Sequence, residues 1–282
     1  GVSDEDTIPV QLERLLQEKY PNRPITVING GCGGYAPWQA GGLLDELGWP
    51  LEPDAVVLQA LLDNDLADTL ARTGRVAEAY EPGNAFFKAI YGNYHRDIRA
   101  RMEDWVYQRS RVYKLLVQRT VGAWRITRLL DGLRGFDGPL VPALPPSAAR
   151  PPYLEAARTA WDPALEEAWN AMQADVSAIR DACNRRGLPF ALWAVPSAAY
   201  VIDADWPFAG DPAYDRGKPE ALLRNFAADA AIPYHDAYSY FRAQPESRAL
   251  YYPADGHFTP AGAAAAAAFL AEALDPLLQS ES

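Results

Sequence analysis

The 282-residue chain carries 37 acidic against 26 basic residues, a formal net charge of −11, and is 49% hydrophobic. That length holds one large domain, or one domain with a sizeable insertion, around a real core. The charge argues against general nucleic-acid binding, because phosphate is repelled at long range. No run of 18 apolar residues is present to span a bilayer. The two cysteines, Cys32 and Cys183, have no metal-type spacing; they either pair or remain free thiols.

The chain enters a helix almost at once. Asp4 to Thr7 are cap-type residues, Pro9 suits a first turn, and Ile8, Leu12, Leu15 and Leu16 share one face. ITVING (25–30) reads as a short strand ending in glycine. A Gly-rich loop and a second helix follow, in GCGGYAPWQAGGLLDEL. DAVVLQALLDND reads as a buried strand with a polar end at Asp63, Asn64 and Asp65. A long helix from about Trp161 to Arg186 leads to a buried strand, LPFALWAVPS (188–197). A helix around 218–229 precedes a weaker strand, AIPYHDA (231–237). The chain closes with an alanine-rich helix opened by Thr259 and Pro260.

Apolar strands alternating with helices predict an α/β fold with a parallel sheet covered on both faces. The polar clusters fall at the strands' C-terminal ends, where open α/β sheets place ligands. Between about 66 and 160 the alternation fails, and the pattern is helical, then Pro-rich. This stretch reads as a helical insertion in a single domain spanning 1–282. Within it, ten Lys or Arg residues between 95 and 134 outnumber four acids. Two readings stay open for that stretch. One is a long helix on the sheet with its arginines solvated or paired. The other is an interface for an anionic substrate, a protein partner or a membrane surface.

Three motifs carry chemistry. In NGGCGGY (29–35), four glycines after a strand let backbone N–H groups approach a ligand, or simply make a tight turn. In LLDNDL, the Asn64 amide is suited to an oxyanion, while Asp63 and Asp65 suit a helix cap or a cation. A strand followed by D-x-D is also the pattern of a Mg-dependent phosphatase. In PADGHFTPAG, Asp255 lies two residues before His257, a spacing that lets a carboxylate orient an imidazole base. His95 and His235 read as structural.

Together these three blocks resemble the SGNH (GDSL-type) hydrolases, α/β esterases and lipases with a flavodoxin-like three-layer sandwich. The resemblance implies His257 as general base, Asp255 as its orienting acid, and Gly34 with Asn64 as the oxyanion hole. It implies no cofactor, a small ester or acylated carbohydrate as substrate, and an extracytoplasmic or cell-envelope location. The family's Gly-Asp-Ser block is absent. The opening GVSDEDTIPVQLERLL resembles the helix that follows that block, so the resemblance implies a serine on a strand ahead of Gly1. That strand would lie between 25–28 and 54–60. Without such a serine the same fold would serve as a scaffold or binding subunit.

Overall fold

The chain divides into two compact units, residues 1–76 with 152–282, and residues 77–151. The computed structural model describes residues 2–32, 35–72, 152–252 and 256–279, all within the first unit. The Arg-rich stretch 95–134 and His95 lie outside the described residues.

Three strands form a parallel sheet in the order β1-β2-β3: β1 (Val56–Ala60), β2 (Phe190–Ala194) and β3 (Tyr234–Asp236). The register pairs Ala60 with Ala194, and Ala194 with Asp236. Every residue of β2 is buried, as expected for a central parallel strand with helices on both faces. On one face Ala191 and Trp193 join a core built from α1 (Ile8–Lys19) and α8 (Pro260–Ala273). Leu12 and Leu16, one turn apart on α1, meet Ala266, Ala267, Leu270 and Ala271 of α8. The small alanine side chains let α8 approach both the sheet and α1 closely. On the other face Phe190, Leu192 and Ala194 alternate with these residues and share their side with Leu58 and Ala60 of β1. Two helices contact β2 here, α4 (Pro163–Asn184) and α6 (Lys218–Asp229). Trp169 of α4 meets Phe226 of α6 edge to face at 5.9 Å.

Local signals set most helix starts. The Asp162 carboxylate accepts from Leu165 N at 2.9 Å to cap α4, and Pro163 occupies its first turn. Thr259 accepts from Gly262 N at 3.2 Å to cap α8, with Pro260 following. Both cysteines are free, Cys32 exposed and Cys183 buried.

One expected strand does not form. Residues 25–30 form no regular element and pair with no strand among the described residues. Side chains of α1 satisfy their amides instead: Ile25 N donates to Gln17 Oε1 at 3.2 Å and Val27 N to the Glu13 carboxylate at 2.7 Å. A β-ladder needs a neighbour, and β1 does not supply it. Along its outer edge β1 pairs with nothing among the described residues. Val57 and Gln59 of β1 are exposed on the face opposite Leu58 and Ala60, Val57 at 38%, and Ile28 is 52% exposed.

The first turn of α8 passes very close to the preceding loop. A Cβ at Gly262 would fall 2.9 Å from Phe258 Cδ1 and far inside van der Waals contact with the Leu250 carbonyl oxygen. Gly262→Ala is expected to destabilise the fold by about 1–3 kcal/mol, the usual range for overpacking. A urea denaturation midpoint equal to that of the unmodified chain would show that the loop yields freely.

Candidate active site

Parallel pairing brings the C-terminal ends of β1 and β2 side by side. The chain leaves β1 through Leu61 and enters α3 (Leu62–Arg72), so Asp63, Asn64 and Asp65 occupy the first helical turn. The sequence had suggested a polar strand end there; the helix begins earlier. The chain leaves β2 through Val195 to Ser197 into the short helix α5 (Ala198–Val201).

The two carboxylates of this turn have different tasks. The Asp65 carboxylate folds back to accept from Leu61 N at 2.9 Å, a local cap. The Asp63 carboxylate reaches across the sheet ends and accepts from Ser197 Oγ at 2.8 Å. Asp63 and Ser197 each lie three residues beyond a paired alanine, Ala60 and Ala194, so the register itself makes them neighbours. Both aspartates are buried. Burial raises the Asp63 carboxyl from its ordinary value to about 7, against the opposing pull of Tyr200 and Ser197. Burial also holds the Asp65 carboxyl well above the usual carboxylate range, with Asp68 and Asp63 adding repulsion. A hydrogen bond to a charged group contributes roughly 1.5–3 kcal/mol; here desolvation outweighs it. Tyr238, fully buried on α7 (Ala237–Arg242), is likewise pushed far up, first by burial and then by the Asp63 charge.

The loop that leads into α8 closes on the same place. Tyr251 Oη donates to the Pro196 carbonyl at 3.1 Å, in the buried interior. Gly256, with φ of +71°, lies against Ala198, whose Cβ is 3.8 Å from where a Gly256 Cβ would stand. The loop is stitched internally by Tyr252 N to His257 O at 2.8 Å and Gly256 N to Tyr252 O at 3.0 Å. His257 follows Gly256 directly and is exposed.

The structure therefore brings His257's loop, the β2 end and the turn bearing Asn64 into one chain of contacts. Asp255, Gly34 and the Asn64 side chain lie outside the described residues. His235 sits on β3 with burial lowering its pKa, as expected of a structural histidine. Ser197 did not stand out in the sequence because it follows no Gly-Asp pair. The signal that would have found it is the equal offset of Asp63 and Ser197 from paired strand ends. Among the described residues no group of three or more His, Cys, Asp and Glu could hold a metal ion.

Residues 156–282 match the family model of the SGNH hydrolase-like domain of the acetyltransferase AlgX. The match spans β2, β3 and the Asp255–His257 loop, and stops short of Gly34 and Asn64. Neither curated proteins nor solved structures give a significant match. The carboxy-terminal part of the chain is thus SGNH hydrolase-like, and its parallel sheet with helices on both faces agrees with that α/β architecture.

The buried carboxylate has a measurable pH signature. Asp63 keeps a proton in the folded state, up to about pH 7, that the unfolded chain releases near 3.8. Its penalty on the fold therefore grows as pH rises through that window and is complete above the folded pKa. Asp63→Asn is expected to stabilise the protein by on the order of 1–3 kcal/mol more at pH 8 than at pH 5. Urea titrations at the two pH values that give equal differences would contradict a buried, titrating carboxylate.

Proposed function

We propose that the protein is an SGNH-type serine enzyme that cleaves an O-acyl ester, acetate on a carbohydrate hydroxyl being the substrate class. The observation that carries this reading is the contact of the His257 loop with the β2 end beside the turn of Asn64. The matching family, described for an acetyltransferase, supports an acyl group as the moiety handled. An extracytoplasmic or cell-envelope location goes with it; among the described residues no helix is long and apolar enough to cross a membrane.

In this mechanism a serine hydroxyl attacks the ester carbonyl while His257 takes its proton, with Asp255 holding the imidazole in the productive tautomer. The Gly34 N–H and the Asn64 amide receive the oxyanion. Collapse breaks the bond to the alcohol, which leaves with the proton from His257. Water, or a second sugar hydroxyl in a transfer reaction, then attacks the acyl-serine with His257 again as base. Ser197 follows no Gly-Asp pair and is engaged with the buried Asp63, which argues against it as that nucleophile. The serine belongs instead on a strand along the open edge of β1, beside residues 25–28. The exposed Val57 and Ile28, and a β1 edge that pairs with nothing among the described residues, support that position. Asp63 and Asp65 are enclosed and committed to Ser197 and Leu61, which favours the serine reading over a Mg-dependent phosphatase.

The test uses the full native chain and a fluorophosphonate probe. The chain is expected to label, His257→Ala to abolish labelling, and Asn64→Ala to lower ester turnover by about 10²–10³-fold. A native chain that stays unlabelled points to a scaffold or binding subunit. Full activity in Asn64→Ala removes Asn64 from the oxyanion hole.

A further inference from the structure

We infer that Asp63 and Ser197 are positioning residues, a latch that holds the turn bearing Asn64 and the loop bearing His257 in one cleft. The inference rests on the serine-enzyme reading above and adds two residues to it. Neither would touch the substrate; each acts through the backbone that it fixes.

The latch is a continuous run of short links. Asn64 follows Asp63 on the first turn of α3. The Asp63 carboxylate accepts from Ser197 Oγ at 2.8 Å, across 134 residues of sequence. On one side of Ser197, the Pro196 carbonyl accepts from Tyr251 Oη. On its other side, Ala198 lies against Gly256. Tyr251 and Gly256 precede His257, and Tyr252 bonds both His257 and Gly256 through the backbone. Besides the Asp63–Ser197 link and the Tyr200 hydroxyl that supports the same carboxylate, the β1 end and the β2 loop are joined by the last rung of the sheet ladder, Val195 N to Ala60 O at 2.9 Å.

Two features separate a latch from a packing accident. Local capping of α3 is already done by Asp65, so Asp63 is not needed there. A buried carboxylate is also a costly way to fill the space, since an apolar side chain of similar volume would avoid the desolvation. Local rules broken at such a cost cluster at functional sites. Ser197 shares the Asp63 carboxylate with the Tyr200 hydroxyl, and the other groups around it are acidic or phenolic. Asp65 and Asp68 lie on its own helix, Tyr200 comes from α5 and Tyr238 from α7, and none of them brings a positive charge.

The test uses the full native chain with Ser197→Ala and Ser197→Thr. Turnover of p-nitrophenyl acetate is read alongside hydrogen exchange of the segments 61–66 and 251–258. Ser197→Ala is expected to lower kcat about tenfold with KM little changed, the mark of lost transition-state alignment. Exchange should rise in both segments together, while peptides from α4 and β2 keep their protection. Ser197→Thr restores the hydroxyl and should rescue both readouts. If Ser197→Ala folds poorly because the carboxylate has lost its donor, the double change Asp63→Leu with Ser197→Ala removes charge and link together and is read in the same way. Unchanged kcat and exchange overturn the latch. So does a rise in exchange confined to one segment, or an equal loss in Ser197→Thr. If the unmodified chain neither labels nor turns over ester, the enzymatic reading falls. The joint exchange response of the two segments then still decides whether the latch exists.

Discussion

Parallel pairing around β2 is the constraint from which the rest follows. Each backbone N–H and C=O of a buried strand must find a partner, because an orphaned group costs about 1–3 kcal/mol. β2 meets that demand with a parallel neighbour on each side. Parallel neighbours force the connections to cross over as helices, and those helices cover both faces. They also bring all three strands out at the same end. Residues 63 and 197, far apart in sequence, are brought together at those strand ends, and the loop before α8 joins them through Tyr251 and Gly256.

The helices on the two faces solve different packing problems. On one side α4 and α6 present large side chains, and Trp169 and Phe226 pack edge to face between these two helices. On the other side α8 is nearly all alanine, so Trp193 of the sheet and Leu12 and Leu16 of α1 supply the volume. The close approach of α8 has a consequence for the site. Its first turn presses on the Leu250 carbonyl at Gly262, and the loop just before it carries His257. His257 thus sits just before the capped start of α8. Ion pairs from Lys19 to Glu272 of α8 and to Asp275 just beyond it tie this end of the chain to α1, but partly exposed pairs of this kind contribute only about 0–1 kcal/mol. Apolar burial holds that side together.

The outer edge of β1, open among the described residues, is the counterpart of this order. An exposed strand edge with an apolar residue such as Val57 is a liability that folded proteins cover or pair. In residues 25–30, which form no regular element, the Ile25 and Val27 amides turn to Gln17 and Glu13 of α1. The sequence that reads as a strand has these two amides satisfied by side chains. Hydrophobic alternation prepares a segment for a sheet; only a neighbour makes it a strand.

The sequence by itself determined the element order and most of the boundaries, because periodicity and caps are local. Asp162 and Thr259 mark the starts of α4 and α8 as their residue types predict, and the short apolar runs became β1, β2 and β3. It also singled out the His257 loop, since D-x-H before a capped helix is a contiguous pattern. The tertiary structure decided what depends on neighbours. Whether 25–30 joins a ladder depends on a partner strand that no local pattern encodes. The task of Asp63 was equally hidden: a D-N-D run admits a cap, a cation or a distant partner. The residue that answers it, Ser197, lies 134 positions away. Register alone makes the two adjacent, and register is a property of paired strands, not of either strand's sequence.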